Sequence, residues 1–159
     1  MTPKDGVTDP AAKVLWRPAR QTDHEDIVGM SLAYFSEDPG VVSVSPEQIA
    51  NTLRQFDREP SYGQAVILEV DDGVAGYSLL VPFYSNEMGG LVCVVDELFV
   101  RPAARGRGCG TALFRAIEAG QFGAYRAMML GVTPRNDRAR RLYERLGFRV
   151  AGVTMVCLR

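Results

Sequence analysis

Two rhythms of apolar positions alternate along the chain: short β-rich runs that mark strands, and stripes repeating every three to four residues that mark helices. Val14–Trp16 begins an apolar strand. Thr22 followed by Glu25 has the form of a capping box, and it opens a helix with Ile27, Met30, Tyr34 and Phe35 on one face. Ser45, Pro46 and Gln48 supply the N-cap, first-turn proline and third-position glutamine of a second helix. That helix carries Ile49, Leu53 and Phe56 at helical spacing and ends near Arg58, before Pro60. Ala65–Val70 and Val74–Val81 are β-rich runs joined through Asp71-Asp72-Gly73, a hairpin signal. Pro82–Gly90 interrupts, and Leu91–Val100 then reads as a buried central strand with two adjacent carboxylates, Asp96 and Glu97. Past the loop Arg101–Arg107 comes a helix with Leu113, Ala116 and Ile117 inward, then a strand at Ala127–Val132. A last helix sets Ala139, Leu142, Tyr143 and Leu146 on one stripe and is closed by Gly147. Phe148–Leu158 supplies a final strand or hairpin. The order β-α-α-β-β-β-α-β-α-β, without repeats, predicts an α+β fold: a mixed, mostly antiparallel central sheet flanked by helices on both faces.

A length of 159 residues fits one domain, expected over residues 13–159, with residues 1–12 as a disordered leader. Eighteen basic against nineteen acidic residues leave a net charge of −1, which supplies no general field to draw nucleic acid or an anionic membrane. No apolar run approaches the roughly 20 residues of a membrane span. Cys93, Cys109 and Cys157 lack paired spacing and read as reduced thiols of a cytoplasmic protein. With His24 as the single histidine they also lack metal-ligand spacing, so no metal site is expected.

The chemistry concentrates in Arg105-Gly106-Arg107-Gly108-Cys109-Gly110-Thr111, which lies between a strand and a helix. Backbone N–H groups there, with the positive end of the helix, suit a phosphate or pyrophosphate. The same glycines serve equally for a tight strand-to-helix turn. A P-loop would end in Gly-Lys-Ser/Thr, which is absent, and a dinucleotide fold would carry an acidic residue about 20 positions on. Gly131-Val132-Thr133 stands there instead.

Arg105-x-x-Gly108-x-Gly110 resembles the acetyl-coenzyme A signature of the GNAT superfamily of N-acetyltransferases. Asp96–Pro102 is similar to that family's central strand, and Asn136-x-x-Ala139-x-x-Leu142-Tyr143-x-x-x-Gly147-Phe148 is similar to its second cofactor motif. The likeness covers Gly76 to Val150 well, Trp16–Ala19 with Asp23 or Asp26 weakly, and Phe35–Tyr62 hardly at all. It implies a three-layer sandwich with acetyl-coenzyme A as co-substrate. The pyrophosphate would sit on the amides of Arg107, Gly108, Cys109, Gly110 and Thr111, after Gly106 and with Arg105 at the mouth. The pantetheine arm would lie along Leu98, Phe99 and Val100, and Asn136, in one motif with Ala139, would hydrogen-bond near it. Family habit adds a homodimer.

Acetylation of an amine needs a base, because an unperturbed lysine-like amine titrates near 10.4, and it gains from an acid that protonates the leaving thiolate. Tyr143 resembles the family's acid; read without the family it packs with Leu142 and Leu146. Strand alternation puts Asp96 and Glu97 on opposite faces, so only one would meet the acceptor. Similarity to polyamine-type members favours Asp96, with Glu97 second. Members acting on protein N-termini often carry a glutamate where this chain has Gly131. Tyr34, Tyr84, Asn86 and Glu87, beside Glu37-Asp38, are the candidate contacts to the acceptor. That acceptor is expected to be a primary amine, small, cationic and polyamine-like, or the amine of a peptide or protein. With one histidine in the chain, direct attack in a ternary complex is simpler than an acyl-enzyme. The alternative is a non-catalytic acyl-coenzyme A sensor or interaction domain, which would keep the loop without needing Tyr143 or a strand carboxylate.

Overall fold

The computed structural model describes residues 13–152 and 155–158; the expected leader, residues 1–12, lies outside them. Strands β1 (Val14–Pro18), β2 (Gln64–Val70), β3 (Gly73–Ser85), β4 (Gly90–Val100) and β5 (Ala127–Leu130) form one sheet in that order. Every pairing is antiparallel except β4 with β5. Helices α1 (His24–Glu37) and α2 (Pro46–Arg58) cover one face, while α3 (Cys109–Glu118) and α4 (Asp137–Arg145) contribute to the other.

Two apolar layers hold these elements. Ile27, Met30, Ile49 and Leu53 meet Ile67, Tyr77, Leu79 and Phe99 on the first face. Leu113, Phe114 and Ile117 meet Val66, Leu68, Leu80, Cys93 and Val95 on the second. Between irregularities in register the two faces read out opposite parities of a strand, as in β2, where Val66, Leu68 and Val70 face α3 and Ile67 faces α1.

Local signals explain most boundaries. Ser45 and Gln48 form the reciprocal capping box of α2, with Gln48 Oε1 accepting from Ser45 N at 2.7 Å and Ser45 Oγ from Gln48 N at 3.2 Å. Asp71 and Asp72 take φ of 52° and 64°, the left-handed pair of a tight β2–β3 hairpin. At α1 the expected Thr22–Glu25 box gives way to a short 3₁₀ turn, Gln21–Asp23. There the Asp23 carboxylate accepts from Arg20 N at 2.7 Å and from Arg17 Nη1 at 2.8 Å, and a charged acceptor outcompetes a hydroxyl.

Three expectations are corrected. Strand β3 does not stop at Val81 but runs through Pro82 to Ser85. The last β2 partner of β3 is its Leu80, so at Pro82 β3 has β4 alone as neighbour and the missing N–H faces an open edge. Among the described residues of Phe148–Leu158 no strand forms, because Val150 and Met155 are 94% and 92% exposed and find no cross-strand packing. The third correction concerns β4 itself. Leu79 pairs with Glu97 but Leu80 with Val95, so Asp96 is an extra, bulged residue. Parity reverses there: Cys93 and Val95 before the bulge, and Leu98 and Val100 after it, all belong to the α3 face.

Candidate functional site

The parallel β4–β5 ladder ends at Val95 and Leu130, so β4 runs on from Asp96 to Val100 with no strand beside it on that edge. Into this splay the chain delivers the glycine loop. A 3₁₀ turn, Pro102–Ala104, leads to Gly106 and Gly108 at φ of 79° and 80°, and the left-handed Gly108 turns directly into α3. No side chain caps α3, so the N–H groups of Cys109, Gly110 and Thr111, which an α-helix leaves without intrahelical acceptors, face outward. Trp16 Nε1 donates to Cys109 O at 3.0 Å and fixes this end against β1.

A cavity of about 760 Å³ opens where these elements meet. It is lined by Leu98, Phe99 and Val100 from β4, Arg105, Gly106, Gly108, Cys109, Gly110 and Thr111 from the loop, and Asn136, Ala139 and Tyr143 from α4 and its cap. All the residues that the sequence assigns to the cofactor are among them except Arg107. That side chain turns away to Asp71, Nη2 to Oδ2 at 2.7 Å. Arg105 is not a free cation at the mouth: Nε donates to Val100 O at 2.8 Å, and Nη2 donates to both Glu37 carboxylate oxygens at 2.8 and 2.7 Å. Its guanidinium also lies 5.5 Å from the Phe99 ring centroid. Asn136 is similarly occupied, with Oδ1 accepting from Ala139 N as the α4 cap at 3.1 Å and Nδ2 reaching Asp38 Oδ2 at 3.4 Å. Burial pushes the Cys109 thiol up, and Sγ donates to Ala104 O at 3.4 Å, which makes Cys109 a packing residue rather than an activated thiol.

The C-terminal end of α1, which the sequence set on the acceptor side, forms a wall of this cavity. Tyr34, Glu37, Asp38 and Pro39 line it. Glu37 pairs with Arg105, and Asp38 accepts from Thr133 Oγ1 at 2.9 and 3.0 Å, so the helix end is tied both to the loop and to the segment after β5. The acidity of Glu37-Asp38 was visible in the sequence; the partners, more than sixty residues away, were not. Arg135, Arg138 and Arg145 also line the cavity, and among the described residues none of them forms an ion pair. This cationic wall and the uncapped helix end fit a polyphosphate group, and the unpaired stretch of β4 fits an amide-bearing arm.

Tyr143 stands half-buried between Phe114 and Phe148, ring centroids 5.9 Å from each and inclined at 80° and 61°. Burial pushes its phenol up, so the hydroxyl stays protonated and able to donate. Glu97 lies two residues before Phe99 on the α1 face. Its Oε2 accepts from Ser31 Oγ at 3.1 Å and from the Tyr77 hydroxyl. Desolvation raises the Glu97 carboxyl, the two hydroxyl donors pull it back, and neighbouring Asp96 raises it again. Asp96 is raised by desolvation although its residue keeps an exposed surface.

The bulge interrupts simple alternation at this pair. Asp96 and Glu97 both act on Tyr34, whose phenol burial and then Glu97 push up to about 12. Glu97 faces α1 through Ser31, while Asp96, the bulged residue, keeps an exposed surface. The hairpin residues Tyr84, Asn86 and Glu87 are not brought to the cavity. Tyr84 pairs with Leu91, seven residues and about 23 Å along β4 from Leu98, and is 72% exposed. Of the groups expected on the acceptor side, Tyr34 lines the cavity together with Glu37 and Asp38.

No helix among the described residues is long and apolar enough to cross a membrane. The model of the acetyltransferase (GNAT) family matches residues 27–148. A mycothiol acetyltransferase of Nocardia farcinica (strain IFM 10152) is 34% identical over 139 residues, which are 87% of this chain and 41% of the relative. An uncharacterized N-acetyltransferase of Bacillus subtilis (strain 168), YhfO, is 34% identical over 85 residues, 52% of this chain and 56% of that one. The chain therefore spans about half the length of these relatives. Among solved structures, a possible acetyltransferase from Clostridium difficile 630 superposes with a TM-score of 0.75 at 19% identity, covering 92% of this chain and 97% of the other, which supports the α+β fold. Cavity, glycine loop and family match coincide on the same residues, and the chain belongs to the GNAT acetyltransferase family.

Proposed function

We propose that this protein is an acetyl-coenzyme A-dependent N-acetyltransferase that acts on a primary amine by direct transfer in a ternary complex. The observation that carries this reading is the convergence of an uncapped helix N-terminus, an unpaired strand edge and a protonated tyrosine on one cavity. Acetyl-coenzyme A supplies an acetyl thioester. The amides of Cys109, Gly110 and Thr111 hold its pyrophosphate, and the cationic wall of Arg135, Arg138 and Arg145 receives the remaining phosphate. Leu98, Phe99 and Val100 hold the arm alongside β4 and direct the thioester toward Tyr143.

Tyr143 donates its proton to the departing thiolate. Glu97 accepts the proton from the incoming ammonium, directly or through one water, and its two hydroxyl donors support it over Asp96 for this role. Tyr34, Glu37 and Asp38 on the cavity wall, with Asp96 and Glu97 just before the lining residues Leu98 and Phe99, supply acidic and hydrogen-bonding groups that suit a small cationic or peptide amine. The test is thiol release from acetyl-coenzyme A across polyamines, aminoglycosides, amino acids and peptides. Amine-dependent release is expected; saturable coenzyme A binding with no release for any amine would establish a sensor instead.

A further inference from the structure

We infer that Tyr77 and Ser31 are positioning residues, a pair of hydroxyls that hold the Glu97 carboxylate so that one oxygen alone faces the acceptor. The inference rests on the proposed role of Glu97 as base. Tyr77 and Ser31 are fully buried, on β3 and α1 respectively, and both hydroxyls donate to the same atom, Oε2. Among the described residues Oε1 receives no hydrogen bond. A carboxylate that merely ties a strand to a helix gains most by engaging both oxygens; here the loading is one-sided. The backbone is fixed as well, because Ser78 Oγ donates to Glu97 O at 2.6 Å. Glu97 thus cannot swing away, and Phe99, one pleat or about 7 Å along the same face, already lines the cavity.

The groups around this carboxylate are few. From α1 come Ser31 and Tyr34, from β3 Tyr77, and from β4 Asp96, while α2 offers apolar Ile49 and Leu53 to the same core. The Tyr77 phenol is itself pushed up by burial and by Glu97, so it remains a donor at any working pH. Burial and Asp96 favour the protonated acid, whereas Tyr77 and Ser31 favour the carboxylate that a base must be. Removing either hydroxyl leaves the carboxyl in place and makes it protonate at higher pH.

Tyr77→Phe keeps the ring against Phe99, and Ser31→Ala removes the second donor from the other side. In Tyr77→Phe the acid limb of the kcat/KM profile is expected to move up by about 1 to 2 pH units, from the worth of a hydrogen bond to a charged group. Activity returns at alkaline pH and the acetyl-coenzyme A KM stays unchanged. Ser31→Ala moves the limb the same way, and ¹³C NMR titration of the Glu97 carboxyl follows both shifts without any turnover. A loss equal at every pH, or an unmoved carboxyl titration in both variants, overturns the inference. Glu97→Gln separates the two levels: full turnover there removes the base reading and the positioning role with it, while the NMR titration still reports whether the hydroxyls act on the carboxyl.

Discussion

Replacing Tyr143 by phenylalanine isolates one atom. The ring sits edge-on between Phe114 and Phe148 at 5.9 Å from each, and phenylalanine keeps both contacts. Among the described residues the hydroxyl has no protein hydrogen-bond partner, so its removal orphans nothing. Stability should therefore change by less than about 0.5 kcal/mol. If the hydroxyl protonates the leaving thiolate, kcat should fall by about 10² to 10⁴-fold, or roughly 2.7 to 5.4 kcal/mol of transition-state stabilisation. Because burial raises this phenol above its ordinary value of 10, wild-type activity should not lose its acid until the pH passes beyond 10. Thiol release, followed with a chromogenic disulfide alongside a thermal melt, reads both quantities. Full turnover in Tyr143→Phe refutes the acid role, and a large drop in Tm would instead reveal a structural bond to the hydroxyl.

Arg105→Lys keeps the charge but loses the fork that grips Glu37 and Val100 O; the acetyl-coenzyme A KM should rise by about three- to tenfold with kcat little changed, as steady-state kinetics would show. Gly108→Ala meets open space but forces a left-handed φ on a side chain, which should cost about 1 kcal/mol in denaturant unfolding. Asp23→Asn breaks the paired hydrogen bonds to Arg17 and should cost about 2 kcal/mol at pH 7. Arg17 holds the Asp23 carboxyl below its ordinary range, so that stability is present above the range and is lost as pH falls through the lowered value. Urea titrations of wild type and variant should accordingly converge in acid.

Period and turn chemistry made much of this fold legible. Ser45–Gln48 and Asp71–Gly73 each carry their structure within four residues, so neighbours in sequence suffice to specify it. The glycine loop was equally plain, because an uncapped helix start and left-handed glycines are local properties. What stayed hidden depends on sheet order. Pro82 is tolerated only because β2 has already ended, and Asp96 is bulged only in its pairing with β3. The clasp of Asp38 on Thr133 and that of Glu37 on Arg105 join positions no periodicity links. Phe148–Leu158 shows the reverse failure: its β-rich residues satisfy a local preference, but the described ones find no neighbouring strand to answer it.

The extra residue in β4 works as a phase shifter between two gratings. Upstream of it odd-numbered positions face the α3 layer, and downstream even-numbered ones do. Deleting Asp96 would bring the gratings into step without exchanging a side chain: Glu97 would follow Val95 directly, so Glu97 and Phe99 would stay toward Ser31 and Tyr77, and Leu98 and Val100 toward the α3 core. A one-residue deletion would thus erase the bulge and one carboxylate yet keep every other side chain on its face, whereas an insertion or deletion elsewhere in the strand would exchange them.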